Sequence, residues 1–487
     1  MMTTHKRIEK LPFYTLLIFI IAGSVGAGYF YTRSFLALAA VLYGVTAVYI
    51  FYARKLTLLP IHGFLLALIL LYWLAVGSAV DHEQAVLEAI KVSFLLPVSL
   101  LFSSLSVERR DQIWSTWAWS GAGLTLWGLA FSLFREGRLE STLGYANVFA
   151  VITAAGMAAG WRAYMQSGQK RYVWLCLIQL CGLFLSGSRA VLIIVVIGAI
   201  IIVFMNRRNK STVLAGAGAL IMLFVVIVAG VFMKSGDGIR EITWNASEFE
   251  LRRIYWSDAF HLWKKHWLSG IGGGGFAILY PSVYVKYVHQ QYLQVALDVG
   301  VIGAMVFIAM IVSALKAAMG QGRQGAMVIL AALLFCAHLA FDIDLAYPLI
   351  FGLFIMVLTG MEVMGDKQKE LQMPRSLSVF IVMVGVIFMG FSIWMTAGYT
   401  QLSKGGSAVA QGNWSKAERS LQHAERILPW SHEVHYQLAV LYSDLAHLEE
   451  SRVYMDKAVE ELIIASSLVP ENRSYIEMLK KVEISRE

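Results

Sequence analysis

Tyr284-Val285-Lys286-Tyr287-Val288-His289-Gln290-Gln291-Tyr292-Leu293-Gln294 closes a polar island that opens at Lys234, and the sequence on either side of that island is apolar. Of 487 residues, 58% are hydrophobic and only 15% are charged, against roughly a quarter charged in soluble domains. The chain therefore reads as an all-α polytopic membrane protein, with the island as a large loop, 234–290, on one membrane face. A histidine, several arginines and a glycine-rich turn gathered in such a loop point to chemistry at that surface.

A bilayer core needs about 20 apolar residues per helix. Such runs fall near 13–31, 34–52, 58–79, 86–105, 112–134, 145–165, 172–186, 189–205, 211–233, 292–315, 325–341, 345–363 and 377–397, which predicts about 12–13 transmembrane helices. Phe13 to Tyr31 is too long for a signal core and lacks a small-residue cleavage site. Lys and Arg are retained on the cytoplasmic side. Arg54 with Lys55, Arg109 with Arg110, Arg162 with Lys170 and Arg171, Arg207 with Arg208, Lys316 with Arg323, and Lys367 with Lys369 all lie in alternate connections. The expected N-terminus is cytoplasmic. The loops holding Arg33, Asp81 with Glu83, Arg135 with Arg138, and Asp342 with Asp344 then face outward, as do the 234–290 loop and the tail. The net charge of +8 reflects cytoplasmic anchors near anionic lipid, and no basic groove with interleaved aromatics suggests nucleic acid as a partner.

Cys176, Cys181 and Cys336 all fall within predicted spans, so no disulfide framework is expected outside. Cys176 and Cys181 have no His or acidic neighbour and read as small buried hydrophobes rather than metal ligands. No metal or other cofactor is expected.

The sequence divides into a membrane domain, 1–397, and an extracytoplasmic helical tail, 398–487. In the tail, Ala417, Leu421, Ala424 and Pro429 match the spacing of the second helix of a tetratricopeptide repeat, and a 34-residue shift reaches Ser451, Met455 and Ala458. Ala439 and Tyr442 fit the intervening first helix. One good repeat and one degenerate one fall short of the three needed for independent stability. The tail is therefore expected to pack on the membrane domain or on itself through Trp414 and Trp430, and to serve as a partner-binding surface or a structural cap.

Within the loop, Ser247, Glu248 and Glu250 mark a helix start, and Leu251 to Trp263 continue at helical period. The aromatics Trp256, Phe260, Trp263 and Trp267 suit a helix lying along the membrane interface. Gly270-Ile271-Gly272-Gly273-Gly274-Gly275 follows. It has no P-loop Lys-Ser/Thr and no preceding strand, so a tight turn is favoured over a nucleotide site. Two further features project to the same face. Arg189, in Ser186-Gly187-Ser188-Arg189-Ala190, is a cation at the membrane boundary, either an anion ligand or a snorkelling anchor. Asn147, in Ser141-Thr142-Leu143-Gly144-Tyr145-Ala146-Asn147, is either a site amide or a helix cap. His261 and His266 read as surface residues of the helix.

Taken in order, Ser186 to Ala190, Arg252-Arg253-Ile254-Tyr255-Trp256-Ser257-Asp258-Ala259, Trp267 to Gly272, and His289-Gln290-Gln291-Tyr292-Leu293-Gln294 leading to Gly300 and Gly303 resemble the O-antigen ligase and polymerase superfamily of bacterial envelope glycosyltransferases. The resemblance covers roughly Ser141 to Gly360. It implies a metal-independent transferase on the outer face of the cytoplasmic membrane. Such an enzyme takes a glycan from an undecaprenyl-diphosphate carrier and passes it to an acceptor hydroxyl of lipid, protein or glycan. The resemblance further implies that Arg189 and Arg252 or Arg253 hold the diphosphate and that His289 is the catalytic group removing the acceptor proton. Gln290 stands where family members usually carry Asn. Asp342 and Asp344 either line the acceptor side or mark a turn. A surface polysaccharide polymerase is the alternative within the superfamily. A lipid-linked glycan transporter would need inverted repeats or paired broken helices, which the sequence does not display.

Overall fold

The computed structural model describes residues 10–205, 246–280, 285–319, 321–365 and 369–486. The apolar run at 211–233, the first residues of the loop at 234–245 and the side chain of Ser247 lie outside the described residues. Every other apolar run coincides with helix. Among the described residues, five helices are long and apolar enough to cross a membrane: Thr32–Ala53, His82–Ser103, Ala146–Ser167, Gln291–Ala318 and Arg375–Ala410; shorter apolar helices complete the bundle. This is a polytopic membrane architecture. The strands are short: Lys55–Leu58 pairs antiparallel with Lys369–Gln372, and Phe134–Arg135 with Arg138–Leu139.

The Pro348–Met364 helix is the axis of the bundle, buried from Pro348 through Val363. Helices Leu11–Val25, Pro60–Val76, Leu95–Ser103, Gln291–Ala318 and Gly322–His338 pack around it. Thr32–Ala53 and Arg375–Ala410 run antiparallel at one side, where Gly44 lies under the Met389 sulfur and Gly385 against Ala47. Small residues at a helix crossing let the backbones approach closely. Cys176 sits in a helix seam and donates its S–H to the Met157 carbonyl at 3.4 Å. Cys181, expected to be buried, is exposed on the outer surface of its helix instead, because that helix turns only one side to its neighbours.

The Gln291–Ala318 helix breaks at Val299 and Gly300, where Gly300 has φ +73°. A side chain there would place its first carbon 1.9 Å from the Leu268 carbonyl oxygen, so only glycine fits. The chain 267–272 satisfies the groups freed by the break. Ile271 N–H donates to the Leu297 carbonyl at 2.7 Å, Gly272 N–H to that of Asp298 at 3.1 Å, and Val301 N–H to the Trp267 carbonyl at 2.8 Å. Irregular backbone at this depth is tolerated where protein supplies its partners. The glycine-rich turn is clamped from its other side by residues 79–88: a side chain on Gly272 would meet Ala79 at 2.3 Å, and one on Gly273 would meet Glu88 at 2.5 Å.

Arg375–Ala410 passes without interruption from the bundle into the tail, whose helices are Trp414–Ile427, His432–Glu449, Arg452–Leu468 and Arg473–Arg486. Ala417, Leu421 and Ala424 are fully buried, with Leu421 over Gly405 and Leu428 over Gly398. The tail docks on the bundle as well as on itself, since Trp430 meets Trp394 with ring centroids 6.3 Å apart. A buried polar cluster fastens it. His432 Nε2 lies 3.1 Å from Asp81 Oδ2 and 3.5 Å from Glu83 Oε2, and its Nδ1 lies 2.7 Å from the Tyr475 hydroxyl. Glu83 also accepts from the Tyr399 hydroxyl at 2.5 Å and the Ser431 hydroxyl at 2.8 Å.

Burial alone would disfavour the His432 cation, but the adjoining Asp81 and Glu83 carboxylates outweigh it and raise the imidazole to about 9. A raised histidine contributes docking stability that is fully present below the ordinary value of about 6.5 and is lost as pH rises through the folded value. The tail is therefore expected to become protease-sensitive between pH 8 and pH 10 in nanodiscs, on the order of the two units flanking that value. A His432→Gln variant should be sensitive throughout. Equal cleavage of the native chain at both pH values would show that the cluster does not hold the tail.

Candidate functional site

Loops from separate parts of the chain meet at one end of the bundle around a single carboxylate. Asp342 lies in the turn between the Gly322–His338 helix and the short Asp344–Ala346 turn of 3-10 helix, and it is fully buried. Its Oδ1 accepts from the Tyr145 hydroxyl at 2.8 Å and from Ile343 N–H at 2.9 Å, and it lies 3.2 Å from His289 Nδ1. Its Oδ2 accepts from Asn147 Nδ2 at 2.6 Å, from the Tyr145 hydroxyl at 2.9 Å and from Arg252 Nη2 at 3.3 Å. Burial would raise the Asp342 carboxyl. The His289 hydrogen bond and the Arg252 guanidinium reverse that and hold it well below the usual carboxylate range.

The carboxylate can only accept, so His289 Nδ1 carries a proton, and in the neutral ring the lone pair is then on Nε2. Among the described residues Nε2 makes no hydrogen bond, and the ring is 26% exposed. The ring is therefore held at one nitrogen and open at the other. His289 sits at φ +55°, in the left-handed region that non-glycine residues seldom occupy. Trp256 Nε1–H donates to the His289 carbonyl at 3.2 Å, and Gln291 N–H to the Leu339 carbonyl at 2.8 Å. Gln290 caps the Gln291–Ala318 helix by accepting from Leu293 N–H with its side chain, so its amide is engaged in structure. Trp256, read from sequence as an interface aromatic, also positions the histidine.

Arg252 is part-buried on the Ala246–Lys265 helix and also donates from Nη1 to the Phe341 carbonyl at 2.5 Å. Arg253, one residue on, is exposed and no contact joins it to Asp342 or His289. Arg189 begins the Arg189–Met205 helix directly after the Ser186–Ser188 turn. It is part-buried and, among the described residues, makes no hydrogen bond or ion pair. Its turn is joined to the centre through Arg138, whose Nε donates to the Ser186 carbonyl at 2.8 Å and whose Nη2 donates to Asn147 Oδ1 at 2.5 Å. Asn147 thus bridges Arg138 to Asp342. Among the described residues Asp344 makes no hydrogen bond to this cluster and pairs instead with His338 Nδ1 at 2.6 Å, both fully buried. Burial raises the Asp344 carboxyl against the opposing pull of His338. This pair braces the turn that presents Asp342.

Sequence reasoning missed Arg138, Tyr145 and the centrality of Asp342. Arg138 had been counted only as an outward-loop cation, and the motif 141–147 drew notice for its amide alone. Arg138 and Tyr145 both contact nearby Asn147, but no local spacing reveals the remote partners, Ser186 and Asp342, that join them to the site. His261 bonds its own helix at Ser257 O, 2.7 Å away. The one group among the described residues with donor atoms close enough for a cation is Glu425, His435 and Glu461, in the tail. His435 already engages Glu461 at 2.6 Å and the Pro429 carbonyl at 3.1 Å, so a metal would have to displace both.

Residues 174–308 match the Wzy_C family model, described as O-antigen ligase. This part of the chain is similar to that family and contains Arg189, Arg252, Arg253, His289 and Gln290. Arg138, Tyr145, Asn147 and Asp342 lie outside the matched residues. No curated protein matches the chain.

Proposed function

We propose that the protein is an O-antigen ligase-like glycosyltransferase that moves a glycan from an undecaprenyl-diphosphate carrier to an acceptor hydroxyl at the outer face of the cytoplasmic membrane. The observation that carries this reading is the sharing of one buried carboxylate, Asp342, by His289 and Arg252. A base and a cation that contact the two oxygens of one carboxylate are held in a single site, as an acceptor hydroxyl and a diphosphate leaving group require.

In this mechanism Asp342 fixes the imidazole tautomer, and His289 Nε2 accepts the acceptor hydroxyl proton as that oxygen attacks the anomeric carbon. The bond from the anomeric carbon to the diphosphate oxygen breaks, and undecaprenyl diphosphate leaves with the electron pair. Arg189 and Arg252 neutralise the charge that accumulates on it, and the exposed Arg253 is proposed as a further donor contact. Guanidinium forks match phosphate oxygens, and the start of the Arg189–Met205 helix adds a positive dipole end. Asn147 and Arg138 set the position of Asp342 relative to the Arg189 turn. Where the acceptor is another glycan, the same step makes the enzyme a polymerase. The tail, proposed as a tetratricopeptide-like module on the same side, would recruit an envelope partner or cap the site.

The test is transfer by the full chain in nanodiscs, given glycan-charged undecaprenyl diphosphate and an acceptor extract. Product appearing on the acceptor supports the reading. Translocation with the glycan still on its carrier would overturn it. Arg189→Ala and Arg252→Ala are each expected to weaken undecaprenyl diphosphate binding by about tenfold or more, the value of one charge-assisted hydrogen-bonded contact. Calorimetric titration measures this, and unchanged affinity in both would remove the arginines from the donor site.

A further inference from the structure

The Ala246–Lys265 helix serves two surroundings. Arg252 and Trp256 reach Asp342 and His289, whereas Phe260, Lys264 and Lys265 are exposed. The chain leaves the helix through Trp267 and Leu268, which are 52% and 55% exposed. Glycosyl transfer leaves this second surface unused. One hydrogen bond fixes its height relative to the bilayer. The Trp267 carbonyl accepts from Val301 N–H at 2.8 Å, so residues 267 and 268 lie level with the break in the Gln291–Ala318 helix. On the site's side of the break, Gln294 to Gly300 are buried in protein. On the other side the helix runs from Val301 to Ala318, a rise of about 26 Å at 1.5 Å per residue, close to the roughly 30 Å of a hydrocarbon core. Ile302, Met305, Ile308 and Val312 are exposed along that stretch, at the three- and four-residue spacing of a single helix face. This is the face such a span turns to acyl chains. The lipid-facing stripe thus begins at the level of Trp267 and Leu268, which stand at its margin where the headgroups start.

We propose that residues 260–268 bind an anionic phospholipid of the leaflet on the site's side, with Trp267 and Leu268 at the acyl boundary and Lys264 and Lys265 on the phosphate. An indole suits that boundary, because its ring is apolar and its N–H stays wet. A lysine stem lies along apolar surface while its ammonium reaches a polar partner, and Lys264 Nζ already sits 4.7 Å over the Phe260 ring. Charge selects the class of lipid. From Arg253 to Leu268 the only acid is Asp258, and it is engaged by the Tyr280 hydroxyl. Among the described residues Lys264 and Lys265 make no ion pair. A lipid phosphate supplies the missing counter-charge. A choline headgroup brings a cation of its own to the same place and is disfavoured by it. The site does not depend on glycan transfer, but it bears on it: Arg252 and Trp256 belong to the same helix, so a lipid held here fixes their height over the bilayer.

The test uses the full chain in phosphatidylcholine nanodiscs doped with a photoreactive phosphatidylglycerol or with a phosphatidylcholine carrying the same photoreactive group. Crosslinked peptides are mapped by mass spectrometry. Residues 260–268 are expected to label at least about tenfold more with the phosphatidylglycerol probe, since each interfacial lysine contributes roughly fivefold. High salt should erode that preference. The double variant Lys264→Gln with Lys265→Gln should bring the two probes level at this segment. Both lysines are exposed, so the fold is not at risk, and unchanged labelling near Lys55 and Lys369, at the opposite end of the bundle, checks it. Equal labelling by both probes in the native chain, or a preference that survives in the double variant, overturns the site. Displacement of the phosphatidylglycerol probe by equimolar undecaprenyl diphosphate would give these lysines to the donor lipid and overturn the phospholipid assignment as well.

Discussion

Replacement of His289 by alanine is expected to reduce glycan transfer by about two to four orders of magnitude, the range that a positioned general base contributes. The ring touches Asp342 through one nitrogen and is otherwise partly exposed, so its removal leaves no large cavity. The binding of undecaprenyl diphosphate should change little, because Arg189 and Arg252 remain. Position 289 needs a residue that tolerates φ +55°, and asparagine enters that region more readily than alanine. His289→Asn is therefore the cleaner variant: it keeps the backbone, offers an amide to Asp342 and has no base. Transfer rates measured with glycan-charged carrier at saturating acceptor should fall together in both variants. Native turnover in His289→Asn would rule out the imidazole as the base.

Asp342→Asn is expected to be more damaging, because it affects fold and chemistry at once. Every approach to this carboxylate comes from a donor: Tyr145 and Ile343 N–H, with His289 Nδ1, on one oxygen; Asn147, Tyr145 and Arg252 on the other. An amide nitrogen at either position meets donors rather than accepting from them. Loss of the carboxylate also leaves part-buried Arg252 without its counter-charge. Breaking a buried pair from one side costs on the order of 3–5 kcal/mol, and loss of the tautomer-fixing acid in comparable dyads lowers turnover by about 10⁴-fold. Both effects are separable by following detergent unfolding and transfer in parallel. A variant with native unfolding and native transfer would reduce Asp342 to a turn residue. The depressed carboxyl also fixes a sign. Its contribution is present above the ordinary carboxylate value near 4 and is lost only as pH falls through its lower folded value. The site should therefore keep its geometry from neutrality down to about pH 4.

The two variants probe residues that differed in how readily the sequence exposed them. His289 and Arg252 stand in local motifs with their own spacing, and Arg189 follows a small-residue turn at a span boundary, so all three were visible. Asp342 was legible only as a turn residue, because the groups that define it lie 53, 90, 195 and 197 positions away. No periodicity encodes such distances. The helices were legible for the opposite reason: the length of an apolar run is a local quantity set by bilayer thickness. The Glu83 and His432 cluster, whose members are 349 positions apart by subtraction of their numbers, shared the fate of Asp342. Asp81 and Glu83 read in the sequence as ordinary outward-loop charges, and the tail groups that meet them are remote in the chain.

The uninterrupted Arg375–Ala410 helix is the spine on which the tail folds back. Tyr399 marks the level of Glu83, and the helix runs on from there to Ala410, about 16 Å at 1.5 Å per residue. The first tail helix returns along that length, with Leu421 over Gly405 and Leu428 over Gly398, and brings Ser431 and His432 back to Glu83. The helical hairpin thus sets the register of the tail on the bundle, and a change in its length would shift every one of those contacts together.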